Sequence, residues 1–128
     1  MATRPPAQKH KITFPRRGDI FLVQFDPAMG HEIQKTRPAL VIQNDISNEH
    51  SPITIVAAIT SQFHDPPFPR EVIIESSESG LPKRSAIVMN QIRSVDRARL
   101  VSKIGQLSEG SMQRTDEAIR ISLALVEF

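Results

Sequence analysis

The segment Thr36–Thr60, TRPALVIQNDISNEHSPITIVAAIT, constrains the fold more than any other part of the chain. Two short, mostly apolar runs, Pro38–Gln43 and Ile53–Ile59, read as buried strands joined by a loop of Asn, Asp, Ser and Pro. Each carries a polar residue at one end, Arg37 or Thr60, where a core residue would be expected. Pro38 can only open a strand or lie on an edge, and it drives Arg37 toward extended backbone. The guanidinium should therefore project from a rigid strand mouth. A cation and a hydroxyl on adjacent strands suit work on a phosphodiester.

The rest of the chain supplies further short strands. Asp19–Phe25 alternates, with Phe21, Val23 and Phe25 on one side, and Pro27 and Gly30 open a long loop to Arg37. Arg70–Glu75, Ala86–Met89 and Leu100–Leu107 are three more strand candidates, with turn signals such as Ser79-Gly80 between them. Short strands without intervening helices predict a small barrel or curved sheet. The period then changes. Ser108 is a helix cap, and Met112, Thr115, Ile119, Ser122 or Leu123, and Val126 recur at helical spacing, predicting one amphipathic helix to about Glu127. Ile119, Leu123 and Val126 should pack on the sheet, while Ile121 and Leu125 leave room for a dimer contact. The predicted class is mainly β with α (α+β).

A length of 128 residues makes one domain. Residues 1–15, with three prolines and several cations, read as a flexible basic N-terminal extension to a domain at 16–128. No apolar stretch resembles a secretory signal or a membrane span, and the absence of cysteine fits a reducing cytoplasm. The four histidines, at 10, 31, 50 and 64, lack the short spacing of a zinc site, so we expect no metal. A net charge of +2 invites a nucleic-acid reading, yet the first 17 residues hold five basic groups and no acid. From Gly18 onward 11 basic residues face 14 acidic ones, so a polyanion would need a local basic patch. Arg93, Arg97, Arg99 and Lys103 form the one dense cluster, most simply a solvated helix face.

Arg17-Gly18-Asp19, Phe25-Asp26-Pro27 with Gly30, then TRPALVIQND, SPITIVAAIT and NQIRSVD appear in order, and the chain closes on ISLAL. From about Arg17 to its end the chain resembles the MazF/PemK family of toxin endoribonucleases of type II toxin–antitoxin modules, most of all the Gram-positive-type MazF toxins. The resemblance implies a small SH3-like, CcdB/PemK-type curved antiparallel sheet with a C-terminal helix. It implies a cytoplasmic homodimer, held inactive by a MazE-like antitoxin, that cuts single-stranded mRNA at short sequences without metal or other cofactor.

On the same resemblance Arg37 and Thr60 are the catalytic pair, and Glu32, Lys35, Asn44, Ser61, Gln62 and Gln91 belong to the RNA groove. One departure is visible: PemK-type relatives carry catalytic Arg and Asp just before the Gln aligned with Gln91, where this chain has Val88 and Asn90. Arg37 and Thr60 should then carry more of the chemistry. Attack by the RNA's own 2′-hydroxyl would leave a 2′,3′-cyclic phosphate and a 5′-hydroxyl. An arginine pKa above about 12 argues for phosphorane stabilisation by Arg37 rather than base catalysis. Phe63 and Phe68, in the loop after Thr60, are candidates to stack on a base. A CcdB-like gyrase-binding toxin and a non-catalytic RNA-binding regulator are the alternatives.

Overall fold

The computed structural model describes residues 14–27, 29–32 and 35–127, so all but the end of the expected N-terminal extension lies outside the described residues. In chain order the elements are β1 (Asp19–Gln24), β2 (Thr36–Val41), α1 (Asp45–His50), β3 (Ile53–Thr60) and β4 (Glu71–Ile74). There follow α2 (Ser76–Ser79), β5 (Ser85–Asp96), a 3-10 turn (Arg97–Arg99), β6 (Leu100–Gln106) and α3 (Glu109–Ser122). The six strands form one antiparallel sheet in the order β4-β5-β3-β2-β1-β6. β4 and β6 are its two edges, so of the curved sheet and the barrel predicted from sequence it is an open sheet that forms.

Both faces of the sheet are covered, which is why its central strands read as unbroken apolar runs. Ile20, Leu40, Ala57, Ile59, Ile74, Ile87 and Met89 form one core, against which Ala118, Met112 and Ile119 of α3 pack. The alternate residues Phe21, Val23, Phe25, Ala39, Val41, Val56, Ala58 and Val95 form the second. Phe21, Val23 and Phe25 thus share a side, as their spacing predicts.

Three predicted boundaries move, each for a local reason. The connection between β2 and β3 contains a helical turn, because the Asn44 side chain accepts the N–H of Ser47 at 2.8 Å and caps α1. β5 runs on through Asn90, Gln91 and Arg93, far beyond the expected stop at Met89, since its first part lies between β4 and β3 and its remainder continues along β3 to Ile53. α3 ends at Ser122 rather than near Glu127: Ala124 adopts a left-handed φ of 59°, and Leu123 stands exposed instead of packing on the sheet. Leu125, expected to be free of the sheet, is exposed too. The buried face of α3 is Ser111, Thr115 and Ala118, more polar than a stripe of aliphatics. Thr115 fits there because its hydroxyl donates to the carbonyl of Ser111 at 2.9 Å.

Candidate active site

The β2–β3 ladder pairs Val41 with Val56, Leu40 with Ala57 and Ala39 with Ala58, and there it stops. The hydrogen bonds say why. Lys35 and Val41 accept from Phe25 and Gly18, on the β1 side, whereas Ile42 donates to Ile55, on the β3 side. Backbone groups alternate along a strand, so an N–H at Pro38 would point at β3; proline has none. The strands part beyond Ala39 and Ala58, and Arg37 and Thr60, two places further along in register, flank the opening. Pro38 therefore sits at the limit of a ladder inside the sheet, rather than on an outer edge.

That opening is a cleft of about 540 Å³ lined by Arg37, Pro38, Ile59, Thr60, Ser61, Gln62 and, from the loop after α2, Leu81, Pro82, Lys83 and Ser85. Two of those lining residues are cationic and none is acidic. Thr60 is held by a short turn in which its Oγ1 accepts the N–H of Gln62 at 3.0 Å. The hydroxyl proton donates to no partner among the described residues and remains available to a ligand oxygen. Lys83 escaped the sequence reading because nothing local distinguishes it. Only the return of β5 alongside β3 brings its loop to the cleft.

Glu32 and Gln91 meet elsewhere, in a separate hollow of about 210 Å³ with Phe25, Asn90 and Arg93. The Gln91 side chain donates to the carbonyl of His31 at 3.3 Å, and the Glu32 carboxylate accepts the N–H of Met29 at 2.8 Å. Lys35 lies two residues before Arg37 with a left-handed φ of 64°, held by its N–H to Asp26 Oδ1 at 2.8 Å. Asn44 does not join either hollow. It stands seven residues along from Arg37, roughly 20 Å away at strand spacing, with its side chain committed to the α1 cap.

The arginine cluster is not a helix face. Arg93 donates to the carbonyls of Phe25 at 2.6 Å and Pro27 at 3.1 Å, and Arg99 donates to those of Gln24, at 3.0 Å, and Asp26. Four consecutive carbonyls are thereby clamped where β1 leaves the sheet toward Glu32 and Lys35. Arg97 donates in the same manner to Asn48, beside α1. Most of this basic patch organises backbone.

The loop from Ser61 to Arg70 leaves the cleft lining after Ser61 and Gln62 and is tied down at its far end by Glu71. One carboxylate oxygen of Glu71 accepts the N–H of Phe68 at 2.8 Å, and the other lies 2.7 Å from Nδ1 of His64. Burial pushes the Glu71 carboxyl up, but these partners outweigh it and hold it below the usual carboxylate range. Phe63 turns toward the opposite loop, where the Arg84 guanidinium lies 5.7 Å from its ring centroid.

A family model described as the PemK-like, MazF-like toxin of type II toxin–antitoxin systems matches residues 16–123. The chain belongs to this family. The toxin is 44% identical over 113 residues to Endoribonuclease EndoA of Bacillus subtilis (strain 168), a match that covers 88% of the chain and 97% of that protein. Its fold is that of a mycobacterial endoribonuclease solved with its cognate antitoxin, at TM-score 0.74 and 18% identity over 89% of this chain and 99% of that one. MazF from Deinococcus radiodurans superposes at TM-score 0.73 and 22% identity, covering 87% and 97%. At the position of the family departure, the toxin places half-buried Val88 opposite Glu71 and exposed Asn90 in the smaller hollow.

Proposed function

We propose that this chain is the toxin endoribonuclease of a toxin–antitoxin pair, and that it cuts single-stranded RNA in the cleft between Arg37 and Thr60. The observation that carries this reading is the unpaired end of the β2–β3 ladder, which sets a guanidinium and a donating hydroxyl on opposite walls, with Lys83 beside them and no acid lining the cleft. A phosphodiester fits such a cleft by charge and by donor geometry.

In the proposed reaction the 2′-oxygen attacks phosphorus, the bond to the 5′-oxygen breaks, and a 2′,3′-cyclic phosphate and a 5′-hydroxyl result. Charge builds on the non-bridging oxygens as the phosphorane forms. Arg37 meets it with two parallel N–H donors, Thr60 with its hydroxyl proton, and Lys83 with a point charge on the same or the neighbouring phosphate. Neither Arg37 nor Thr60 is assigned as base, and the cleft lining offers no carboxylate or imidazole for that task. Glu32, Lys35, Ser61, Gln62 and Gln91 are positioned to contact bases on either side of the scissile step. Asn44, at the far end of β2, is left out of that set. The active species is a cytoplasmic homodimer, and a MazE-like antitoxin silences it by covering the cleft.

Purified protein should cut single-stranded RNA in excess EDTA, and a single 2′-deoxy substitution at the scissile nucleotide should abolish cutting while leaving binding. Activity lost on chelation and restored by Mg²⁺ would reject the 2′-hydroxyl route. RNA bound but never cut would leave a regulator, and gyrase bound with no RNA cut would leave a CcdB-like poison.

A further inference from the structure

In the loop that follows Thr60, the rings of His64 and Phe68 lie parallel, with centroids 3.6 Å apart and planes 13° apart. The Arg70 guanidinium lies over Phe68 at 4.8 Å. With His64 on one face of Phe68, Arg70 must occupy the other, so both faces of the phenyl ring are filled. The imidazole is different. Its side chain is 49% exposed, while Glu71, which grips its Nδ1, is 4% exposed. His64 is thus an aromatic plane backed by a second ring, fixed at one edge by a buried carboxylate, and half exposed.

We propose that His64, backed by Phe68, is a stacking platform for one unpaired nucleobase of the RNA next to the scissile phosphate. The proposal rests on the function just given. His64 follows the cleft-lining Gln62 by two residues, so their Cα atoms are within about 7 Å. A strand held by Arg37 and Thr60 passes this ring, and a base splayed from that strand has a π-face of matching shape. Ordering is where such a contact usually loses affinity. Here one carboxylate fixes both ring-bearing residues beforehand, His64 through its ring and Phe68 through its N–H. Two aromatic residues that merely packed the loop would be expected to turn inward, yet Phe68 keeps 41% of its surface exposed.

The test uses an RNA carrying the cleavage site mapped for the wild-type protein, made uncleavable by a 2′-deoxy scissile nucleotide. 2-Aminopurine is placed at each neighbouring position in turn. One position should be quenched on binding, and His64→Ala should remove that quenching and weaken binding by about 5- to 150-fold. His64→Phe and His64→Leu both lose the contact to Glu71 but differ in having a ring. If the platform stacks a base, Phe should restore quenching and affinity to within a few-fold of wild type, and Leu should not. Equal loss in Phe and Leu would make the residue a loop fixture and overturn the proposal. So would cleavage by the wild type with no quenched position, which leaves the endoribonuclease reading standing. A wild-type protein that cuts no RNA would remove that reading and the platform with it.

Discussion

Arg37 and Thr60 face each other two residues beyond the last pair of the β2–β3 ladder, Ala39 with Ala58. The relationship is set by backbone: Pro38 withholds the N–H that would have closed the strands, and the cleft is the result. Both side chains stand at the ends of strands whose adjoining stretches, residues 39–41 and 56–59, are buried in the core, which gives them fixed positions without burying their polar atoms.

Arg37→Ala should therefore lower the rate of the chemical step by at least roughly 100-fold, the usual loss for one transition-state donor. Arg37 is an exposed residue at a strand mouth, so the melting temperature should scarcely move. Arg37→Lys should rescue little, because a point charge cannot make the two parallel contacts of a guanidinium. Single-turnover cleavage together with thermal melting separates the outcomes. An unfolded Arg37→Ala protein would assign the residue to stability instead.

Thr60 has two separable tasks, since its oxygen accepts from Gln62 while its proton is available to a ligand. Thr60→Ser keeps both and should stay within a few-fold of wild type. Thr60→Val keeps the shape and loses both, so the rate should drop and the turn should lose about 0.5–1.5 kcal/mol. A Val variant with full activity would exclude the hydroxyl from the reaction.

The reach of sequence reasoning followed the range of the interactions involved. Apolar runs and the Pro38 signal are local, so the central strands and the strand-mouth position of Arg37 were legible at once. The 3.6-residue period located α3, though its last turns failed because nothing local announces the left-handed turn at Ala124. Arg93 and Arg99 were misread as a solvated helix face because their partners lie 66 to 75 residues away. Charge spacing carries no information about carbonyls at that separation. Lys83 belongs to the same class, since only a strand return brings it to the cleft; His64 and Glu71 are just seven residues apart, but no motif marks the loop that folds one onto the other.

The arginine clamp yields a prediction of its own. Arg93→Ala removes two donors from the carbonyls of Phe25 and Pro27, and the cost should be about 1–3 kcal/mol of folding stability. Arg37 and Thr60 stand on strands outside the clamp, so kcat at saturating RNA should change less than KM, which reports the loop carrying Glu32 and Lys35. A variant with normal stability and normal KM would show that the two Arg93 contacts do not hold that loop.

Lys83 should behave as a phosphate contact. Its side chain lines the cleft and forms no ion pair among the described residues, unlike Arg84 beside it, which pairs with Glu75 at 2.9 Å. Lys83→Gln should weaken binding to all single-stranded RNAs by a similar factor. The slope of log affinity against log salt should shrink by about 0.7, the value for one phosphate on a single strand. An unchanged slope would place Lys83 outside the RNA path.

Acid should unfold the protein through three carboxylates. The N–H of Arg17 is the main cause that lowers Asp45. Burial acts upward on Glu71 and Glu78, but the Phe68 N–H with His64, and the hydroxyls of Ser111 and Ser108, outweigh it, so both end lowered. A carboxylate whose folded pKa lies below its unfolded one binds fewer protons when folded, so unfolding takes up protons and falling pH favours the unfolded chain. The contribution of these groups is complete above the ordinary carboxylate pKa of about 4 and disappears as pH falls through the lower folded values. Urea unfolding followed from pH 6 down to pH 2 should show stability falling steeply below about pH 4. Glu71→Gln, which keeps the shape but cannot ionise, should make that fall shallower and loosen the loop that carries His64. If the variant and the wild type lose stability in parallel, Glu71 is not one of the groups that acid acts upon.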